Sequence, residues 1–152
     1  LQLTPDGGYV MAGNTKSFGS GNLDAWLIKT DAEGNEVWNR TFGGANNDSV
    51  TSLQLTPDGG YVLAGDTGSV GSGNLDAWLI KTDAEGNEIW NRTIRTQRFS
   101  WGGYSYHGRA VQPTSDGGYI LGIWELFNLE GTAAQSVKLV KFDSEGNIVN
   151  AK

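Results

Sequence analysis

An internal repeat constrains the fold of this chain more than any other feature. Residues 1–42 align without a gap on residues 53–94, a period of 52, and 36 of these 42 positions are identical. A third, diverged copy follows. It is recognised by two segments: TSDGGY at 114–119, which matches TPDGGY at 56–61, and KFDSEGN at 141–147, which matches KTDAEGN at 81–87. Tandem units of roughly this length predict a fold in which one supersecondary unit stacks on the next.

Four β-strands are predicted in each unit, and no helical periodicity competes with them. In the second copy they cover residues 49–56, 61–65, 77–82 and 88–94. The first two strands are joined by the segment 57–60 (PDGG), in which proline fixes φ, aspartate can bond the turn backbone and glycine accepts a positive φ. The last two are joined by the segment 83–87 (DAEGN). Each unit therefore contains two tight hairpins.

The third predicted strand is apolar on both faces. Its residues 77–80 (AWLI) suit a strand sandwiched between two neighbouring sheets. The fourth strand carries Glu88, Asn91 and Arg92, as an exposed edge strand should. A four-stranded unit of about 50 residues is typical of one β-propeller blade. A right-handed β-solenoid is the alternative, but its coils are usually shorter and lack two tight hairpins per unit.

The predicted fold is therefore an all-β β-propeller segment of three four-stranded antiparallel blades. Blade 1 spans residues 1–44 with a truncated first strand, blade 2 spans 45–96, and the diverged blade 3 spans 97–152 with an insertion. Three blades form an arc that leaves two apolar faces uncovered. We expect further blades of a parent chain, or a second copy giving six blades, to close the ring. Because the chain opens at Leu1 without an initiator methionine or signal peptide, we expect it to be a fragment or a processed piece.

Four short segments recur in the repeat: Gly43-Gly44 leading to Asp48, residues 58–65 (DGGYVLAG), residues 76–81 (DAWLIK) and Gly86-Asn87. In this combination they resemble the SBBP-type β-propeller repeats, and the resemblance covers essentially the whole chain. It implies a scaffold or binding role in a secreted or cell-surface protein of bacteria or methanogenic archaea, and it supplies no catalytic motif. In the third copy His107 is aligned with Asp48, and Ser136 with Asp76, so no role of those aspartates is expected there.

Composition narrows the possible partners. A net charge of −6 repels a phosphate backbone, so nucleic acid is not an expected partner. The absence of cysteine excludes disulfides, thiolate metal sites and a cysteine nucleophile. No apolar run approaches the roughly 20 residues that a membrane helix needs, so membrane insertion is not expected. The 23 glycines and 6 tryptophans together fit many short strands around large buried side chains.

Acidic side chains gather on one predicted face of the propeller, where the longer loops emerge. Asp48, Asp66 and Asp76 offer the hard oxygen ligands that calcium takes. Alternatively, these residues recur because aspartate bonds the backbone of its own loop and duplication copied them. No other cofactor is expected, since the lone His107 has neither cysteine nor a second histidine with which to share a metal.

The third copy departs from the other two around an insertion near residues 94–101. This region concentrates aromatic and basic side chains: Trp101, Tyr104, Tyr106, His107, Arg109 and Trp124. Aromatic rings beside arginines can stack on sugar rings or anchor a protein partner. The alternative is that the larger side chains fill a gap where blade geometry changes, since aromatics in all-β domains are most often core.

Three acceptor triplets for N-glycosylation occur, at Asn39, Asn47 and Asn91. Asn39 and Asn91 occupy the same place in the predicted outer strand. A glycan there would cap an exposed sheet edge.

No catalytic constellation is found in the chain, and no Gly-x-Ser-x-Gly motif occurs. The chain alone is therefore not expected to be an enzyme. The leading interpretation is a non-catalytic extracellular or cell-surface module with a structural, adhesive or protein-binding role. One alternative is a lectin-like, glycan-binding propeller that uses the aromatics of the third copy. A second is a fragment of a propeller enzyme whose catalytic residues lie in other blades.

Overall fold

The computed structural model describes residues 1–70, 75–95, 104–129 and 132–151, which form three four-stranded antiparallel sheets in chain order. The first sheet contains β1 (Gln2–Leu3), β2 (Tyr9–Thr15), β3 (Asp24–Thr30) and β4 (Glu36–Phe42). The second sheet contains β5 (Asp48–Leu55), β6 (Tyr61–Thr67), β7 (Asp76–Thr82) and β8 (Glu88–Ile94). The third sheet contains β9 (Tyr104–Pro113), β10 (Tyr119–Leu129), β11 (Thr132–Phe142) and β12 (Ile148–Ala151). No helix is found within these ranges, and so none that is long and apolar enough to cross a membrane.

The predicted all-β architecture of four-stranded antiparallel units is confirmed. In the second copy each observed strand lies within two residues of its predicted bounds. The third sheet differs from the others in its long strands, because β10 and β11 each contain 11 residues whereas β6 and β7 contain seven.

The two hairpins of each sheet close as their residues predict. In the second sheet Gly59 has φ of 84° and donates its N–H to the Thr56 carbonyl at 2.9 Å. Asp58 Oδ1 accepts from the N–H of Gly60 at 3.2 Å. In the other hairpin Asp83 Oδ1 accepts two backbone N–H groups, and Gly86 has φ of 79°. Aspartate and glycine therefore supply the turn-forming contacts that the sequence indicates.

Two apolar layers hold the three sheets together. Leu63, Trp78 and Ile80 of the second sheet belong to the layer shared with the first sheet. Val62 and Leu79 belong to the layer shared with the third sheet. Because side chains alternate along a strand, the second sheet is buried on both faces, as its third strand predicted.

Candidate functional site

The side chains predicted to bind a ligand do not all lie on one side of the third sheet. Tyr106 lies opposite Glu125 and packs against the apolar layer shared with the second sheet. Trp124 precedes Glu125 on β10 and therefore lies on the other face of the sheet. There the guanidinium of Arg109 is 5.1 Å from the centre of the Trp124 ring. The sheet therefore separates the two aromatic side chains.

His107 contacts the second sheet. Its Nδ1 is 3.0 Å from Asp66 Oδ2, and the N–H of Gly108 donates to Asp66 Oδ1 at 3.0 Å. The two side chains are only 12% and 9% exposed, so this pair joins two sheets in a largely buried position. Trp101 and the side chain of Tyr104 lie outside the described residues. Ligand binding by the six residues stays a prediction.

The strand register corrects one correspondence between the copies. Asp48 pairs with Thr67 in the second sheet, and the matching pair in the third sheet is Tyr106 with Glu125. Tyr106, not His107, therefore takes the place of Asp48. The alignment by sequence was one residue out, since counting back from the shared turn segments 56–61 and 114–119 also places residue 106 opposite residue 48.

Four polar side chains form a cluster at this corrected position: Tyr106, Glu125, Ser136 and Lys138. Lys138 Nζ lies 3.1 Å from Glu125 Oε1 and 3.3 Å from Tyr106 Oη, and it is 5.1 Å from the tyrosine ring centre. Ser136 Oγ donates to Glu125 Oε2 at 2.6 Å. The carboxylate of a buried residue is thus bonded through both of its oxygens.

The contacts within the cluster favour a charged Glu125, a charged Lys138 and a neutral Tyr106. Burial raises the pKa of Glu125, but hydrogen bonds from Ser136, Lys138 and Tyr106 outweigh it and hold the pKa below its ordinary value. Burial lowers the pKa of Lys138, yet its bonds to Glu125 and Tyr106 raise the pKa overall. The pKa of Tyr106 is raised, chiefly by burial and then by Glu125. At neutral pH Lys138 is therefore not a free amine and Tyr106 is not a phenolate. The ion pair of Lys138 with Glu125 lies on the side of the third sheet that faces the second sheet.

The three aspartates predicted to hold calcium are buried: Asp48, Asp66 and Asp76. Asp48 Oδ2 accepts from the N–H of Gly44 at 2.8 Å, and its two oxygens also accept from the hydroxyls of Thr67 and Ser69. Among the described residues, no group of three or more histidine, cysteine or acidic side chains could hold a metal ion. The contacts of Asp48 and Asp66 are those of residues that shape loops and join sheets.

The glycosylation candidates fall on β4, on β8 and in the loop before β5. Asn39 and Asn47 are exposed, and Asn91 is half-buried. Asn39 Nδ2 donates to Glu36 Oε1 at 2.6 Å, and Asn91 makes the same contact with Glu88. Their modification stays a prediction.

Two sheet faces carry apolar side chains that no described sheet covers. The first outer face belongs to the first sheet and contains Tyr9, Met11, Trp26 and Ile28. The third outer face belongs to the third sheet and contains Ile120, Trp124, Val137 and Leu139. These residues alternate along their strands with the residues of the two apolar layers and so face away from the second sheet.

Exposure is highest on the third outer face. Val137 is 74% exposed and Leu139 is 50% exposed, whereas Tyr9 of the first outer face is 37% exposed. An open cleft of about 370 Å³ lies on the third outer face, lined by Arg109, Trp124 and Val137 among others. Exposed apolar side chains therefore lie close together on this face.

No family model matches the chain, and no curated protein matches it. The candidate site is therefore defined by its geometry and by the internal repeat.

Sequence reasoning missed one contact between neighbouring sheets. We call this contact the grip: a tryptophan–arginine pair on the outer strand of one sheet packs against a hairpin of the next sheet. The Arg92 guanidinium lies 5.2 Å from the Trp90 ring centre and donates to the carbonyls of Glu145 and Gly146 in the third sheet. Trp90 Nε1 also donates to the Ser144 carbonyl at 3.3 Å. The repeated triplet Trp-Asn-Arg, with the two large side chains on one face of the outer strand, was the signal that could have indicated this grip.

The same tryptophan–arginine pair recurs between the first and second sheets, where it packs against Gly86. Arg40 lies 5.4 Å from the Trp38 ring centre, and a Cβ on Gly86 would lie 2.6 Å from the Trp38 ring. Beside the two grips lie open clefts of about 460 and 300 Å³, each lined by the tryptophan and by an Asp–Lys ion pair. The grip explains why the hairpin needs a residue without a side chain.

Proposed function

We propose that the chain is a three-blade segment of a β-propeller, related to the SBBP-type repeats, that serves as a non-catalytic module at the cell surface or outside the cell. Its role is structural or adhesive, and its working surfaces are the first and third outer faces, through which it binds protein. The ordered stack of three antiparallel sheets supports the propeller assignment.

The observation that carries this proposal is that one set of residues occurs in two environments. Tyr61, Leu63, Trp78 and Ile80 are at most 4% exposed under the first sheet. The first outer face carries the same set, with methionine in place of leucine, on the opposite side of the first sheet. Residues that are core in one sheet are surface in the next. Covering an apolar surface that has the composition of a core lowers the free energy of the protein.

Site-specific photocrosslinking in the cells that produce the protein tests this role. A photoreactive side chain at Val137 is expected to cross-link to protein, and the adduct is identified by mass spectrometry. The matched control is the same side chain at Ser115, which is exposed in a hairpin of the same sheet. Absence of a protein adduct at both positions, or equal adducts at both, would contradict a protein-binding role of the third outer face.

A glycan-binding function is the second candidate, and the cleft of about 370 Å³ favours it. Its floor is apolar, and it combines the Trp124 ring with the Arg109 guanidinium. Indole faces stack on the apolar faces of sugars, and a guanidinium donates to their hydroxyls.

A glycan array with wild-type protein and Trp124→Ala tests the second candidate, with Tyr9→Ala on the other outer face as the control. Loss of binding in the first variant alone is expected. Binding that survives Trp124→Ala would sink the idea.

A further inference from the structure

Neighbouring sheets of this chain pack by one rule. The face of the second sheet that contains Val62, Ala64, Ala77 and Leu79 covers a face of the third sheet that contains Tyr119, Leu121 and Val140. The first sheet repeats the arrangement, since Val10, Ala12, Ala25 and Leu27 cover the Tyr61–Leu63 face of the second sheet. Each sheet therefore has two different faces. We call the face of small and branched residues the donating face, because it packs onto the next sheet along the chain. We call the opposite face, which begins with a tyrosine, the receiving face.

The first outer face and the third outer face each correspond to one side of this contact, and no described sheet covers either of them. The strand register equates Ile120, Gly122, Val137 and Leu139 of the third sheet with Val62, Ala64, Ala77 and Leu79 of the second. The third outer face is thus a donating face. The first outer face is a receiving face, because Tyr9 and Ile28 correspond to Tyr61 and Ile80.

We propose that a second copy of this chain binds head to tail, with the third outer face of one copy covering the first outer face of the other. The inference rests on the proposed function and names the partner. The two faces differ in residue set, so the contact is heterologous, unlike the self-matching contact of a face with its own copy. The chain already makes this contact twice between its own sheets, and that repetition favours a second copy over an unrelated partner.

One difference sets the expected strength of the contact. Trp90 pairs with Lys81 in the second sheet, and Asn150 holds the equivalent position beside Lys141 in the third. The tryptophan of the grip between sheets is therefore missing at this contact. We expect an association that is weaker than the internal contacts and that depends on protein concentration.

Mixing two variants, each with one outer face blocked, tests the proposal. Val137→Lys with Leu139→Lys blocks the third outer face, and Tyr9→Lys with Met11→Lys blocks the first. In both cases the two lysines are two residues apart on one face of one strand. Light scattering after size-exclusion chromatography gives the mass of each protein over a concentration series, and circular dichroism confirms that each variant is folded.

Wild-type protein is expected to exceed the mass of one chain as concentration rises, and each double variant alone is expected to stay a monomer. An equimolar mixture of the two variants should give a dimer of one copy each, since it restores one intact contact. Ala45→Lys with Val70→Lys adds the same charge at exposed loop positions beside the second sheet, and this variant should behave as wild type. If lysines at 9 and 11 prevent folding, Phe18→Lys replaces them, since Phe18 is 58% exposed and stacks 5.6 Å from Trp26.

Three outcomes would overturn the second copy as the occupant. They are wild-type protein that stays monomeric at every concentration, a double variant that dimerises alone, and a mixture that stays monomeric. A monomeric wild type that still cross-links to another protein through Val137 would leave the proposed function standing. Failure of both experiments would remove the proposed function as well.

Discussion

The first and second sheets are nearly one sequence in two environments. All seven residues of β6 and all seven of β7 are buried, because a sheet packs on each side of them. In the first sheet the equivalent residues Met11, Trp26 and Ile28 are only half-buried. The comparison teaches that strand alternation decides which way a side chain points, whereas the neighbouring sheet decides whether that side chain becomes core.

The largest expected difference between the two sheets concerns a pair of identical isoleucines. Ile80→Ala should lower the free energy of unfolding by about 2–5 kcal/mol, because Ile80 is 2% exposed and its truncation leaves a cavity. Ile28→Ala should cost less, at most about 2 kcal/mol, because the half-buried side chain leaves no closed cavity. Urea unfolding followed by circular dichroism measures both at a concentration where the chain is monomeric.

Equal losses for the two isoleucine variants in the monomer would contradict the comparison, since they would show that the first outer face is covered within one chain. A loss at Ile28 that grows with protein concentration would instead sharpen the comparison. It would indicate that association buries this side chain.

A pair of equivalent glycines gives the next effect. A Cβ on Gly65 would lie 1.9 Å from the Ser49 carbonyl oxygen of β5, where the register of that strand shifts, whereas a Cβ on Gly13 would meet no atom of the described residues within 4 Å. Gly65→Ala should destabilise the protein by about 1–3 kcal/mol through overpacking. Gly13→Ala should be neutral or slightly stabilising, since alanine lowers the entropy of the unfolded chain. Thermal unfolding of the two variants side by side checks this, and a neutral Gly65→Ala would contradict the close approach of β5 and β6.

The strands and hairpins could be predicted from the sequence because their signals are local. The segment 57–60 contains its own turn contacts, and the segment 77–80 shows its two-sided burial in four consecutive residues. The ion pair of Glu125 with Lys138 could not be predicted, since it forms across two strands that are longer than their equivalents in the second sheet, and no local pattern fixes which of their residues lie opposite each other. The grip of Arg92 on Gly146 joins residues 54 positions apart on different sheets, and no local pattern fixes that geometry.

A hydrogen bond that the first sheet makes to the second, and that the second sheet makes to the third, allows a finer test. Asn14 Oδ1 accepts the N–H of Val50 at 2.8 Å, and Asp66 Oδ1 accepts the equivalent N–H of Gly108 at 3.0 Å. Asp66→Ala should cost about 1–2 kcal/mol, because it leaves a buried N–H without an acceptor. Asp66→Asn should cost less, because the first sheet shows that asparagine makes the same bond. Chemical unfolding of the two variants gives the difference, and equal losses would mean that the contact of Asp66 with His107 is what matters.

The smallest effect is expected where the first and second sheets should behave alike, at the hairpin ion pairs. Burial raises the pKa of Asp58, but bonds from Thr56, Lys81 and Gly60 outweigh it and lower the pKa to about 2. The stabilisation is therefore complete above the ordinary carboxyl pKa near 4 and is lost as pH falls through about 2. Because the Asp58 side chain is 59% exposed, solvent screening should keep its contribution below about 1 kcal/mol.

Asp6 in the first sheet makes the equivalent pair with Lys29, and bonds from Thr4 and Lys29 lower its pKa in the same direction. Asp58→Asn and Asp6→Asn should therefore each remove a similar small part of the stability at pH 7, and both losses should be smaller at pH 2. Unfolding curves at the two pH values measure this. A clearly larger loss at Asp58 would show that the covering sheets strengthen the ion pair as well as the core. The difference between the two sheets would then extend from their apolar faces to their hairpins.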